Sequence, residues 1–228
     1  MSLKLLPKDI EPQCIHTIDQ ITFDQSELQL LYERLKHLEV DYSKIRDKAT
    51  EGLFGSITLD EFDEDDEPVP GKNFMLEPEI IKLVDLFNPV VAPINTGNIA
   101  ITVYQPGFQF FPHIDFSRMS VIMFPIYPAG KNHAPIDWYS LDVLGERKAD
   151  IENKEQSVAI EEHDEEFYLG STYYSDVHPT LANTQMVHGV RNDTDDVRIF
   201  LQMSMYDRFE DVVDRINTGD FLNIWFAK

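Results

Sequence analysis

His113 and Asp115 are the residues best suited to chemistry, and one residue separates them. Residues two apart on a strand point to the same face of the sheet, so an imidazole and a carboxylate placed in this way can bind one metal ion together. A mononuclear iron site also needs a second histidine. Two imidazoles and one carboxylate then occupy one face of an octahedron and leave three positions open. The spacing therefore predicts part of a metal site, whose remaining ligand the fold must bring from elsewhere.

The chain has seven histidines, and two of them remain candidates for the third ligand. His188 lies in a predicted strand, Met186–Arg191, that ends at an Asn-Asp turn. His178 precedes a proline, which favours a structural role. We interpret the others as surface residues of a helical region or as loop residues: His16, His37, His133 and His163.

Arg198 follows that turn and is flanked by apolar residues in the predicted strand 198–206. A guanidinium in such surroundings is costly unless it is paired. A carboxylate bound through two parallel hydrogen bonds is its natural partner. A hairpin that joins His188 to Arg198 would place the two residues on neighbouring strands. The sequence therefore predicts a metal triad next to a cation that needs an anion.

The spacing of these residues resembles the iron(II)- and 2-oxoglutarate-dependent dioxygenases. Residues 104–116, YQPGFQFFPHIDF, are similar to the Tyr-x-x-Gly-x-x-(Tyr/Phe)-x-x-His-x-Asp run of the prolyl hydroxylase-like branch. Residues 181–205, LANTQMVHGVRNDTDDVRIFLQMSM, resemble the aspartyl/asparaginyl β-hydroxylase-like branch, in which an arginine follows the second histidine at the same spacing. The aspartyl hydroxylase itself lacks the metal carboxylate that Asp115 provides here. The resemblance covers residues 98–216.

The resemblance implies a mainly β fold with flanking helices, a cupin-like double-stranded β-helix or jelly roll. It implies that His113, Asp115 and His188 bind Fe(II), and that Arg198 and Tyr104 bind the distal carboxylate of the co-substrate 2-oxoglutarate. O2 would be the second co-substrate. Asp115 favours hydroxylation over halogenation, because halogenases of this superfamily replace the carboxylate with a small residue.

Three further residues are weaker candidates for binding the substrate. Arg118 is three residues beyond Asp115 and could meet a carboxylate of the substrate or co-substrate, or form a surface salt bridge. Trp138 and Tyr139 could line the mouth of the site or simply pack in the core.

Along the whole chain, the sequence predicts helices first, then an antiparallel β region, then a closing helix. Residues 1–97 are expected to form a helical and loop region that packs on the core. A helix after Ser26 and another from Glu77 show apolar spacing, and the acidic run 60–67 predicts an exposed loop. We expect the catalytic core to span 98–228, with strands near 98–104, 119–126, 157–160, 166–169, 186–191 and 198–206 and a helix over 207–216.

Composition narrows the function classes. The 228 residues include 41 acids and 19 Lys and Arg, for a net charge of −22. This charge disfavours nucleic acid and anionic membranes as partners and favours a small-molecule or peptide substrate. The chain has one cysteine and neither a long apolar run nor a visible secretory signal, so we expect a cytoplasmic protein.

Two alternatives to an oxygenase remain open. The first is a non-catalytic jelly-roll module that binds a metal. The second is a zinc hydrolase built on the same triad, but Arg198 would then have no evident task.

Overall fold

The computed structural model describes residues 4–22, 54–58, 60–62, 68–73, 99–104, 106–107, 109–115, 118–127, 135–147, 158–159, 165–175, 177–196 and 198–218. These contain the strands β1 Ile15–Thr17, β2 Phe54–Thr58, β3 Asp60–Phe62, β4 Pro68–Asn73, β5 Ile99–Tyr104, β6 Gln109–Ile114, β7 Ser120–Tyr127, β8 Ile136–Tyr139, β9 Val158–Ala159, β10 Tyr168–Thr172, β11 Thr180–Ala182, β12 His188–Arg191 and β13 Arg198–Met205. The helices are α1 Glu11–Cys14 and α2 Phe209–Thr218, with 3₁₀ helices at Leu141–Arg147 and Glu165–Phe167.

Two antiparallel sheets form the core. One has the order β1-β11-β7-β13-β5-β2 and the other the order β10-β8-β12-β6-β9. From β5 to β8 the chain alternates between the two sheets at every strand, and it alternates again from β10 to β13. Eight strands that wind between two sheets in this way make a jelly roll. The predicted double-stranded β-helix is therefore confirmed.

Strand β7 shows why a continuous apolar run forms a central strand. Its alternate side chains point to opposite faces, so Val121 and Met123 line an internal cavity, while Ile122 and Phe124 are buried on the other side. Neighbouring strands β11 and β13 pair with both edges of β7. The strand is therefore buried on both faces, as its sequence predicts.

The N-terminal segment contacts the edges of both sheets. The Leu6 amide donates to the Ser171 carbonyl at 2.9 Å, and the Ser171 amide donates to the Lys4 carbonyl at 2.7 Å. Ten residues further along the chain, β1 pairs with β11 of the other sheet. His16 thus lies in a strand and is half-buried, so its interpretation as a surface residue of a helix is wrong.

Other predictions for the N-terminal region have mixed outcomes. The predicted helices after Ser26 and from Glu77 lie outside the described residues. Residues 60–62 form β3, which pairs with β4, so the prediction of a loop is wrong there, and residues 63–67 are not described. Because β1 and β2 both add to the six-stranded sheet, this region contacts the core; the division at residue 98 stays a prediction.

Helix α2 closes the described chain and is amphipathic. Phe209, Val212 and Ile216 are buried, and Val213 is half-buried. The Ser120 hydroxyl donates to the Asp207 carbonyl at 3.0 Å and ties the start of β7 to the turn before α2. The predicted final helix is therefore confirmed, displaced by two residues. Among the described residues, no helix has the length and apolar character that crossing a membrane requires.

Candidate metal centre and adjoining cavity

The three predicted metal ligands lie together. His113 is the next-to-last residue of β6, Asp115 directly follows that strand, and His188 is the first residue of β12. His113 and His188 are register partners on neighbouring strands, and their ring centroids are 4.2 Å apart. One ligand atom from each of the three residues lies within 4.8 Å of the others. This donor set, two imidazoles and one carboxylate, suits a divalent transition metal such as iron(II).

His188 is held in one tautomer by the backbone. Its Nδ1 lies 2.9 Å from the carbonyl oxygen of Met186, which can only accept a hydrogen bond. Nδ1 therefore carries the proton, and the lone pair is on Nε2. Burial lowers the pKa of His188, which keeps the ring neutral and able to bind a cation.

The Asp115 carboxylate presents a different oxygen to each of two partners. Oδ1 lies 3.6 Å from Nε2 of His113, whereas Oδ2 accepts a hydrogen bond from Nε of Arg118 at 2.5 Å. Burial by itself raises the pKa of Asp115, but the charge and hydrogen bond of Arg118, together with the neighbouring imidazoles of His188 and His113, outweigh burial and lower it. The carboxylate is thus ionised, with Oδ1 on the side of the imidazoles.

The loop after β11 fixes the backbone around Asp115. The Asp115 amide donates to the Thr184 carbonyl at 3.2 Å, and the Thr184 hydroxyl donates to the Arg118 carbonyl at 2.9 Å. Gln185 Nε2 also donates to the carbonyls of Asp115 and Arg118. Because these bonds span more than 65 residues of sequence, the fold rather than the local chain holds the ligand in place.

A cavity of about 160 Å³ opens beside the triad, several times the space that one water molecule needs. The candidates Tyr104, Arg118 and Trp138 all line it. Trp138 is fully buried, and its indole Nε1 donates to the Thr172 hydroxyl at 2.7 Å. The remaining lining residues include Phe110, Val121, Met123, Ile136, Tyr174, Asn183, Thr184, Val190 and Gln202.

Tyr139 does not line this cavity. It follows Trp138 in β8, and consecutive residues on a strand point to opposite faces. Tyr139 is instead fully buried in a second cluster with Leu144, Tyr168 and Val187. Of the two alternatives left open for Tyr139, the structure supports packing in the core and not a place at the substrate mouth.

Arg198 is buried on the inner side of the six-stranded sheet. It is the register partner of Tyr104, which lines the cavity, and it occupies the same side-chain row of β13 as Phe200 and Gln202. Its guanidinium carbon lies 4.5 Å from the centroid of the Phe200 ring. Arg198 is not itself a lining residue.

Two nitrogens of the Arg198 guanidinium are unsatisfied in the described structure. Its buried Nε and Nη1 have no hydrogen-bond partner among the described residues. Burial lowers its pKa to about 9, while the hydroxyls of Tyr174 and Tyr104 act in the opposite direction. The side chain therefore stays a cation at neutral pH, held beside two tyrosines.

Two polar residues of the cavity, Gln202 and Tyr174, are not among the residues predicted from the sequence. Gln202 lies four residues after Arg198, so the strand period places it on the same face, and this signal could have identified it. Tyr174 comes from the segment between β10 and β11 and packs edge-on against Phe200. No local pattern indicates that contact.

His178 lies apart from the metal triad. Its Nδ1 is 2.7 Å from the carbonyl oxygen of Ile21, so it ties the N-terminal segment to the loop before β11. This contact supports the structural interpretation of His178. His37, His133 and His163 lie outside the described residues.

Several solved structures have a fold similar to that of this chain. EvdO2 from Micromonospora carbonacea var. aurantiaca is 12% identical over 90% of this chain and 94% of that chain, with a TM-score of 0.49. HygX from Streptomyces hygroscopicus, with nickel and 2-oxoglutarate bound, is 9% identical over 89% of each chain, with a TM-score of 0.45. A prolyl-4-hydroxylase from Pseudomonas putida is 10% identical over 88% of this chain and 96% of that chain, with a TM-score of 0.42.

These similarities are distant. No family model matches the chain, and no curated protein matches it. With identities near one in ten and TM-scores below 0.5, the three structures carry no functional conclusion. A conclusion about function therefore depends on the geometry of the site.

Proposed function

We propose that this protein is an iron(II)- and 2-oxoglutarate-dependent dioxygenase that hydroxylates an amino acid, a peptide or another small substrate. Iron(II), 2-oxoglutarate and O2 would together supply the oxidising power, with 2-oxoglutarate converted to succinate and CO2. The chain's own residues would bind, orient and shelter these groups.

The environment of Arg198 is the main support for this proposal. A cation that is 3% exposed, with two donor atoms that have no partner in the part of the chain that the structure describes, is costly without an anion. Arg198 is the register partner of Tyr104, and Tyr104 lines the same cavity as the triad. A protein that only binds a metal has no use for such a cation, whereas a dicarboxylate that reaches from the metal to Arg198 would satisfy it.

The three ligand residues have separate tasks in this proposal. His188 Nε2, His113 Nε2 and Asp115 Oδ1 would hold the metal from one side and leave the other side open to ligands. The ionised Asp115 supplies the negative charge of the ligand set. It also favours hydroxylation over halogenation, because a bound carboxylate leaves no room for halide.

The walls of the cavity favour a reaction sheltered from water. Phe110 packs edge-on against the His113 ring at 4.2 Å, and the Trp138 and His188 rings are 5.9 Å apart. Trp138 and Arg118 stay candidates for substrate contact.

The net charge of −22 supports a small-molecule or peptide substrate rather than nucleic acid or a membrane. A cytoplasmic location stays a prediction.

Succinate formation tests the proposal. The purified protein would be incubated with Fe(II), 2-oxoglutarate and air in the presence of a panel of amino acids and peptides. We expect succinate in the complete mixture, enhanced by the true substrate, and none without iron or oxygen. His113→Ala should abolish succinate formation, because it removes a proposed metal ligand. His178→Ala is the matched control, because His178 lies apart from the triad. Tight iron binding with no succinate under any condition would favour a non-catalytic metal-binding module.

A further inference from the structure

Arg118 is held at both its side chain and its backbone. Its Nε donates to Oδ2 of Asp115 at 2.5 Å, and its Nη1 donates to Oε1 of Gln202 at 3.0 Å and lies 3.5 Å from the Ser204 hydroxyl. Its carbonyl accepts hydrogen bonds from two side chains of the loop after β11. Strand β13 and that loop therefore fix the guanidinium against the Asp115 carboxylate.

The sequence leaves two roles open for Arg118, a contact with a carboxylate of the substrate or co-substrate and a surface salt bridge. The structure shows an ion pair with the predicted metal carboxylate, in which the two side chains are only 20% and 13% exposed. Because a guanidinium has donors and no acceptor, Arg118 donates the hydrogen bond at Oδ2. The two oxygens of Asp115 therefore differ: Oδ2 is engaged by Arg118, and Oδ1 lies 3.6 Å from Nε2 of His113.

We propose that Arg118 is a positioning residue that restricts Asp115 to binding the metal through one oxygen, Oδ1. A carboxylate can bind a metal ion through one oxygen or through both. If Oδ2 also bound, it would fill a position of the octahedron that otherwise stays open to the co-substrates. The hydrogen bond from Arg118 prevents this, because it orients the carboxylate and occupies Oδ2. This inference rests on the metal centre of the function proposed above and goes beyond it by giving Arg118 a task.

Two substitutions separate the hydrogen bond of Arg118 from its charge. The amide nitrogen of glutamine is as many bonds from Cα as Nε of arginine, so Arg118→Gln keeps a donor for Oδ2 and loses the charge. Arg118→Met has a similar length and loses both. The two variants lose the Nη1 contacts to Gln202 and Ser204 equally, so a difference between them reports the donor at Asp115.

The measurement is the number of water molecules bound to Mn(II) in the Mn(II)-loaded protein, from pulsed EPR in ¹⁷O-enriched water without co-substrate. We expect water at every open position of the octahedron in the unaltered protein and in Arg118→Gln, and one water fewer in Arg118→Met, because Oδ2 is then free to bind. Arg215→Met is the matched control. Arg215 also pairs with an aspartate, Asp207 at 3.6 Å, but does not line the cavity, so the number of waters should not change.

Three results would overturn the inference. The first is an unchanged number of waters in Arg118→Met, and the second is an equal loss in Arg118→Gln, which would assign the effect to charge or to general packing. The third is a loss of Mn(II) binding in Arg118→Met, which would mean that Arg118 supports the site as a whole. Arg118→Leu, which also lacks a donor, replaces Arg118→Met if the latter does not fold.

Failure of the proposed function gives a different result, because counting the waters needs the metal alone. If the unaltered protein binds Mn(II) but shows no charge-transfer band with iron(II) and 2-oxoglutarate, the proposed function falls, and the water count still decides the role of Arg118. If the unaltered protein does not bind Mn(II), both proposals fall together.

Discussion

His113 and His188 are register partners on adjacent antiparallel strands, with their ring centroids 4.2 Å apart. The backbone ladder between β6 and β12 therefore sets the spacing of the two imidazoles. Asp115 reaches the same point from just beyond β6, where the loop after β11 holds its amide. A metal site built on paired strands is expected to be preorganised rather than assembled by the ion.

Removing His188 should abolish metal binding. We expect His188→Ala to weaken Co(II) binding by two orders of magnitude or more, because a site with one imidazole and one carboxylate loses both affinity and geometry. Titration of the Co(II) spectrum checks this. His178→Ala should bind Co(II) as the unaltered protein does, since His178 contacts Ile21 instead. Near-normal binding by His188→Ala would show that the ligand set is different.

Strand geometry predicts only the pair of His113 and Asp115, whereas the choice of His188 over His178 follows from the family resemblance. Residues two apart share a face, which brings Asp115 to His113, and Arg198 could be identified because its apolar flanks leave it needing an anion. The strand period failed at Phe110, which lines the cavity with His113 although they are three residues apart. A register shift between β6 and β12 permits this, and no local pattern indicates it.

Long-range packing explains the other differences. Tyr139 follows Trp138 in the sequence, but the 3₁₀ helix at Leu141–Arg147 contributes to a second buried cluster on the opposite face of β8, and Tyr139 belongs to that cluster. No local sequence pattern around Tyr139 indicates this packing. Likewise, His16 joins β1 only because the edge of β11 is available for pairing, a feature of the assembled sheet.

A buried ion pair on the face of β8 opposite to Trp138 should contribute to stability. Nε of Arg191 lies 3.0 Å from Oδ2 of Asp137, and Asp137 is fully buried and also accepts a hydrogen bond from Ser171. We expect Asp137→Asn to lower the free energy of unfolding by about 3 kcal/mol, because it removes the buried one of the two carboxylates that pair with Arg191. Urea denaturation of the metal-free protein measures this.

The matched control is Asp193→Asn. Asp193 also pairs with Arg191, at 3.3 Å, but its side chain is 66% exposed, so we expect a change within about 0.5 kcal/mol. Equal losses from the two variants would contradict the importance of burial here.

Gly170 should be required for docking of the N-terminal segment. Its φ is +149°, and a Cβ placed there would lie 2.7 Å from the Leu6 Cα. Gly170→Ala must therefore shift the backbone, and we expect a loss of about 1–3 kcal/mol. Hydrogen exchange of the Leu6 amide, which donates to Ser171, should become faster. Gly107→Ala is the control: Gly107 also has positive φ but no atom within 4 Å, so Leu6 should stay protected.

The most direct test of the account is the affinity for 2-oxoglutarate without oxygen, measured by the charge-transfer band in the unaltered protein and in Arg198→Ala. We expect a band in the unaltered protein and a dissociation constant raised about ten- to a hundredfold in Arg198→Ala, at about 1.4 kcal/mol per tenfold. Iron binding should survive, because Arg198 is not a ligand, and Arg198→Lys should fall between, since it keeps the charge without the paired donors. An unchanged constant in Arg198→Ala would contradict the assignment of this cavity to 2-oxoglutarate.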